Sequence, residues 1–156
     1  LEAPGTWQHS MALSTLSEAA AQRIGADGLM CRVVCYYHDI GKSLKPMYFI
    51  ENLASLGLSE NPHDRLKPAM SAIIILAHPR DGLAMAQKHR LPQPVLDAII
   101  QHHGTTRTEY FYRRALEQGA GEVDEAHYRY GGPVPQNREM GIIMIADSTE
   151  SGGRPK

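Results

Sequence analysis

The apolar run Val33-Val34-Cys35-Tyr36-Tyr37 ends in His38-Asp39, and Gly41-Lys42 follows at once. A fold that buries this run takes an imidazole and a carboxylate inside with it, and each is costly there unless it is satisfied. Side by side, they supply a neutral nitrogen ligand and an anionic oxygen ligand at one point of the backbone. A metal site uses such a pair, and a carboxylate has two oxygens with which to bridge two ions. The dipeptide alone is weak evidence. It matters because histidine and aspartate recur in comparable settings along the chain.

Those settings are helical. Thr6 is placed to cap a helix reaching about Ile24, ended by Gly25, with Leu13, Leu16, Ala20 and Ile24 as its apolar stripe and His9 on the same face. Asp27 caps a second helix over about 28–39, apolar almost all round and closed by His38, Asp39 and Gly41. Residues 46–58 read as a short helical or irregular element, and Asn61-Pro62-His63-Asp64 as a turn in which Asp64 can cap. Pro68 suits the first turn of a third long helix that ends near His78. Met70, Ile74 and His78 share one of its faces, Pro79 and Asp81-Gly82 break it, and a short helix covers about 82–90. The spacing predicts further helices over 92–103, with Val95, Ile99 and His102 or His103 aligned, and over 106–118, with Tyr110, Phe111 and Leu116 inward. A last helix over about 137–150 aligns Met140, Ile143 and Asp147. Residues 119–136 are irregular. No strand alternation is convincing, so the fold class is all-α, one domain of seven or eight helices.

The inward polar residues are His9, His38, Asp39, His78, His102, His103 and Asp147, drawn from five predicted helices. For any one of them, a core histidine bonded to a carbonyl is the better reading. For all seven, a shared metal centre removes the burial cost at once. Imidazoles and carboxylates without a thiolate suit iron, manganese or another borderline divalent ion, and seven ligands are too many for one ion, so two are expected. Cys31 and Cys35, spaced i,i+4, read as reduced core residues. The net charge of -1, from 16 basic and 17 acidic residues, argues against binding long nucleic acid but permits a small anionic ligand. The longest apolar run, Ala72 to Ala77, is too short to span a bilayer, and no signal peptide is visible.

The order His9, His38-Asp39, His78, His102-His103, Asp147 resembles the binuclear branch of the HD-domain phosphohydrolase superfamily. Longer phrases narrow the likeness: Pro4-Gly5-Thr6-Trp7-Gln8-His9-Ser10, Tyr37-His38-Asp39-Ile40-Gly41-Lys42, Phe49-Ile50-Glu51-Asn52, Asn61-Pro62-His63-Asp64, Gln101-His102-His103-Gly104-Thr105-Thr106, Tyr128-Arg129-Tyr130 and Ala146-Asp147-Ser148. Together they are similar to the cytoplasmic HD domain of the seven-transmembrane HD receptors, the PgpH-type cyclic di-AMP phosphodiesterases. The resemblance implies an HD-domain helical bundle that hydrolyses cyclic di-AMP to the linear dinucleotide pApA by a bimetal-activated hydroxide. It implies one ion on His9, His38, Asp39 and Asp147 and another on Asp39, His78, His102 and His103, with Asp39 bridging. It also implies a cytoplasmic location, membrane attachment only through segments outside these residues, and a fragment taken from a larger membrane protein. Two departures stand out. His78 is followed by Pro79-Arg80, where a less rigid pair is expected, and the chain stops soon after Asp147, so the last helix is expected to fray.

Other residues carry two readings each. Lys42 steadies a phosphoryl oxygen or leaving group, or is a solvated lysine at a helix end. Thr105 and Thr106 touch phosphate, or cap the next helix. His127, Tyr128, Arg129 and Tyr130 stack on adenine, or pack an ordinary loop. His63 reads as a turn residue, with a place on a pocket rim as its second reading, and His89 as exposed. Among alternative functions, cyclic di-GMP hydrolysis calls for a Gly-Tyr-Pro phrase where Gly104-Thr105-Thr106-Arg107 stands. A one-metal nucleotidase leaves His78 and the His102-His103 pair without work. An inactive nucleotide-binding signalling domain would be favoured by loss of a ligand. A di-iron oxygenase fits the ligands but not the phrases.

Overall fold

The structure is a computed structural model and describes residues 1–119 and 122–152. Among the described residues, seven α-helices form the chain: α1 (Pro4–Arg23), α2 (Gly28–Cys35), α3 (Ile50–Leu53), α4 (Pro68–Lys88), α5 (Gln93–Gln101), α6 (Glu109–Glu117) and α7 (Arg138–Gly152). Short 3₁₀ turns at Ile40–Leu44, Pro46–Tyr48, Pro62–Arg65 and Glu125–Tyr128 join them. The described residues contain no strand, only one isolated bridge between Arg107 and Arg129. None of the helices among them is long and apolar enough to cross a membrane.

The main core gathers Leu13 from α1, Val34 and Cys35 from α2, Ala86 from α4, Val95, Ala98 and Ile99 from α5, and Met140, Ile143 and Ala146 from α7. A smaller cluster of Ala72, Ala115 and Tyr128 ties α4 to α6 and the loop beyond it. Two close approaches set the spacing around the functional residues. A Cβ on Gly41 would overlap the His78 carbonyl and stand 2.6 Å from the amide nitrogen of Gly82, so the turn carrying Asp39 and Lys42 lies directly on α4. A Cβ on Gly5 would overlap the Glu51 carbonyl, which seats α3 against the first turn of α1.

Several expected boundaries move. Pro4, not Thr6, begins α1; Thr6 is buried and faces α3, its amide donating to Asn52 Oδ1 at 2.9 Å and its hydroxyl to Glu51 Oε1 at 3.2 Å. The inner face of α1 keeps His9 and Leu13 but is otherwise Ser10, Ser14, Ser17 and Ala21, while Leu16 and Ile24 are exposed. Small side chains let α1 and α2 approach closely, and the serines are satisfied locally: Ser14 donates to the Met11 carbonyl, and Ser17 accepts from the Cys35 thiol. Asp27 caps α2 as expected, accepting from the Met30 amide at 2.9 Å, but α2 stops at Cys35 and His38 and Asp39 lie in the turn beyond it.

The helix expected to break at Pro79 runs through it to Lys88. Proline removes the amide that would serve the Ile75 carbonyl, and the His78 ring takes its place, donating from Nδ1 at 2.7 Å. Asn61 caps the turn at 62–65, and Asp64 does not cap α4. On α6 the inward residues are Phe111, Tyr112 and Ala115, with Tyr110 and Leu116 exposed. Neither Thr105 nor Thr106 caps α6. In α7, Met140, Ile143 and Asp147 share the buried face as expected. The expected fraying concerns in part residues 153–156, which lie outside the described residues.

Candidate metal centre

Asp39 is the hub. Its Oδ1 faces His78 Nε2 at 3.2 Å and His102 Nε2 at 3.5 Å. Its Oδ2 faces His38 Nε2 at 3.3 Å, His9 Nε2 at 3.7 Å and the Lys42 ammonium at 2.7 Å. The two oxygens therefore divide the imidazoles into two groups. Potential ligand atoms of Asp39, His78, His102 and His103 lie within 4.8 Å of one another, as do those of His9, His38 and Asp39. Asp147 closes the first side: its Oδ1 is 2.9 Å from His9 Nε2 and 3.9 Å from His38 Nε2, while its Oδ2 is 3.7 Å from His103 Nδ1. All seven predicted ligands come together. Six are buried, and His103 reaches solvent with about a fifth of its side chain, 22%.

Backbone carbonyls aim three of the rings. His38 Nδ1 donates to the Cys35 carbonyl at 2.7 Å and His102 Nδ1 to the Ile99 carbonyl at 2.8 Å, both in the last turn of a helix, where carbonyls lack onward amide partners. His78 sits in mid-helix, and Pro79 gives it the same kind of acceptor at Ile75. In each ring the proton is thereby fixed on Nδ1, and the lone pair of Nε2 points at Asp39. His9 instead places Nδ1 2.5 Å from Glu150 Oε2. His103 is held by stacking on Tyr130, centroids 4.2 Å apart and planes 20° apart.

Whether this cluster suits a metal is decided by its unanswered atoms. Six buried side-chain atoms among the described residues lack a hydrogen-bond partner, and four are here: His9 Nε2, His38 Nε2 and both oxygens of Asp39. Of these, Asp39 Oδ2 has the Lys42 ammonium beside it and His9 Nε2 has Asp147, whereas His38 Nε2 and Asp39 Oδ1 meet only other lone pairs; a divalent cation would satisfy them, and the donor set of imidazole and carboxylate suits one. Charge is prepared in the same sense. Burial opposes ionisation of Asp39, but the Lys42 ammonium outweighs it and holds the carboxyl well below its ordinary range. Asp147 is likewise held low: burial is outweighed by the hydrogen bond from His9. Burial first, then neighbouring imidazoles, keeps His103 well below its usual value; burial also lowers His78. Both rings are therefore neutral and able to ligate. In His9 burial is outweighed by Asp147 and Asp39, which raise it, so metal binding there would release a proton.

The other expected residues separate. Lys42 is not solvated: its ammonium lies between Asp39 and Glu51, 3.0 Å from the latter, and 5.2 Å from the Phe49 ring centroid. Burial would lower it, but Asp39 and Glu51 raise it, so it stays charged. Tyr130 is at the cluster. Thr105, Thr106 and Arg129 are exposed: Arg129 donates to the Thr105 carbonyl at 2.9 Å and pairs with Glu125, and Thr106 donates to the His103 carbonyl at 2.7 Å. His63 is a buried turn residue away from both ligand groups, and His89 and His127 are exposed. Glu51 entered the sequence reading only as part of a phrase. Glu150 did not enter at all, although it lies i+3 from Asp147 on the same helix face.

A model of the HD domain family matches residues 6–152. A cyclic-di-AMP phosphodiesterase PgpH of Listeria monocytogenes is 51% identical over 154 residues, covering 99% of this chain and 21% of the relative. The PgpH of Bacillus subtilis is 45% identical over 153 residues, 98% of this chain and 21% of the relative. The chain thus spans about a fifth of the length of these curated relatives. The crystal structure of the L. monocytogenes PgpH HD domain superposes with a TM-score of 0.90 at 49% identity, over 99% of this chain and 71% of that one. The same domain in complex with cyclic-di-AMP gives 0.93 at 50% identity, with the same coverage. With the match running from the first turn of α1 to the last residue of α7, the chain belongs to the HD domain family.

Proposed function

We propose that this domain is a binuclear metal-dependent phosphodiesterase that opens cyclic di-AMP at one phosphodiester to give the linear dinucleotide pApA. The observation that carries the reading is the division of one buried carboxylate between two groups of imidazoles, with Nε2 atoms of His9 and His38 toward one oxygen and of His78 and His102 toward the other. His9, His38, Asp39 and Asp147 would hold one ion and Asp39, His78, His102 and His103 the other, with iron or manganese favoured by the donor set. Two such ions supply Lewis acidity toward a phosphoryl oxygen and a water acidic enough to attack phosphorus at neutral pH. The chain's own part is positioning. Carbonyls and Glu150 fix the rings, and Lys42 holds Oδ2 of Asp39 and carries positive charge toward an incoming phosphate. Tyr130 lines the approach beside His103, while Thr105, Thr106 and Arg129 would contact substrate from the rim.

The complex of the L. monocytogenes domain with cyclic-di-AMP supports this choice of ligand. A compact dianion needs only a local cationic site, which agrees with a net charge of -1. The greater length of the relatives supports a place for this domain within a larger protein; attachment to a membrane, with the domain on its cytoplasmic side, is part of the proposal. The test is metal analysis of the purified domain followed by hydrolysis of cyclic di-AMP, cyclic di-GMP and a linear dinucleotide at equal concentration. Two ions per chain and the highest kcat/KM on cyclic di-AMP are expected. A higher value on cyclic di-GMP refutes the base assignment, and one ion per chain under metal-replete conditions refutes the binuclear reading.

A further inference from the structure

The two groups of ligands around Asp39 are built differently. On the side of Oδ2, Asp147 adds a second carboxylate, its Oδ1 2.9 Å from His9 Nε2, and all four residues are buried. Both rings there are anchored from behind. His38 Nδ1 donates to the Cys35 carbonyl at 2.7 Å, and His9 Nδ1 to Glu150 Oε2 at 2.5 Å. On the side of Oδ1, Asp39 is the group's one carboxylate among the described residues. His78 and His102 are anchored by the carbonyls of Ile75 and Ile99. His103 is held by stacking on Tyr130 instead, and it reaches solvent.

A carboxylate behind a ligating imidazole does more than a carbonyl there. Both fix the ring and its tautomer, but the full negative charge also raises the basicity of the far nitrogen. Glu150 supplies that charge from α7, where it lies i+3 from Asp147, so one turn of helix delivers a ligand and the group that steers the neighbouring ligand. We propose that the two ion positions are unequal. The position of His9, His38, Asp39 and Asp147 fills first and holds its ion tightly, with Glu150 as the positioning residue responsible. The position of Asp39, His78, His102 and His103 exchanges its ion readily, because it has less anionic charge and one ligand without a hydrogen-bonded anchor. This rests on the binuclear reading above and adds an order to it. The Lys42 ammonium stands against Oδ2, on the tighter side, and opposes a cation there, but Glu51 at 3.0 Å offsets its charge.

Titration of the metal-free domain with manganese, followed by calorimetry and by the paramagnetic resonance of the free ion, tests this. The wild type should take up two ions in two steps, roughly tenfold or more apart in affinity. Glu150→Gln keeps an acceptor of the same shape and removes only the charge. It should weaken the tight step by roughly 10–100-fold and so close the gap, leaving the loose step in place, a change a merely structural role would not produce. Tyr130→Leu should do the reverse, weakening the loose step and widening the gap. Two steps of equal affinity in the wild type overturn the inference. So does a Glu150→Gln variant that binds as wild type or weakens both steps alike, or a Tyr130→Leu variant that weakens the tight step. One ion per chain removes the binuclear reading together with this one, whereas two equal steps remove this one alone. No substrate enters the titration, so inactivity toward cyclic di-AMP would leave its result standing.

Discussion

Replacing Lys42 by methionine keeps the stem against Phe49 and removes the charge between Asp39 and Glu51. At 2.7 and 3.0 Å, and with an effective dielectric of about 20, each contact is worth roughly 6 kcal/mol before desolvation of the ammonium is counted. Desolvation removes much of that, and breaking a buried pair from one side costs about 3–5 kcal/mol net, because the remaining charge stays buried. For a domain of this size that is a fall of roughly 6–20 °C in Tm. The loss belongs to the metal-free protein, where Lys42 is the ammonium against Asp39. With divalent ions bound, the carboxylate has other positive charge beside it and the loss should shrink to a fraction. Thermal melts followed by circular dichroism, in chelator and in manganese, give the two differences directly. Equal losses in both conditions, or a variant that melts as wild type in chelator, would refute the reasoning.

Asp39→Ala should abolish hydrolysis and reduce both bound ions together, since both lose the shared anion; elemental analysis showing one ion fully retained would contradict a bridging role. Burial first pushes Cys31 up to about 11 and Cys35 up to about 12, so both thiols should resist Ellman's reagent at pH 8 in the folded domain and react in urea. His78, His103 and His63 have folded values below the ordinary 6.5 and His9 lies above it, so on balance the unfolded chain takes up protons first as pH falls. The stability the lowered rings contribute is present above about pH 6.5 and is lost below it. The urea midpoint of metal-free protein should therefore drop between pH 7 and pH 5.5, and a midpoint that holds or rises would contradict the shifts.

The seven clustered residues were legible because each is a polar residue interrupting a predicted apolar face, an anomaly that survives errors in the helix boundaries around it. His38 and Asp39 were found although α2 ends before them. The apolar stripe of α1 was misplaced for the opposite reason: its buried face is made of serines, which a hydropathy pattern assigns to solvent. Lys42 could not be decided from spacing, since its burial depends on Glu51, which only tertiary packing brings near. His63 was read as a turn residue, which it is; its contact to the Tyr48 carbonyl, 15 residues away, is one that no local pattern announces.

The His78-Pro79 pair has a meaning for protein engineering. Metal-binding histidines introduced on helices commonly fail for want of a partner to hold the distal ring nitrogen, and designers add surrounding side chains to supply one. Here a proline directly after the histidine vacates a carbonyl one turn back, and the imidazole occupies it. The device replaces one helical hydrogen bond with another and needs no residue from elsewhere in the fold, while the proline ring still crowds the carbonyl one turn back, part of the roughly 3 kcal/mol that proline costs in a helix interior. It can be written into any sufficiently long helix as a dipeptide, and it leaves Nε2 projecting from that helix in a known tautomer. Helix ends offer the same acceptor only at fixed places, as at Cys35 and Ile99. Proline makes the position of a ligand along a helix a matter of choice.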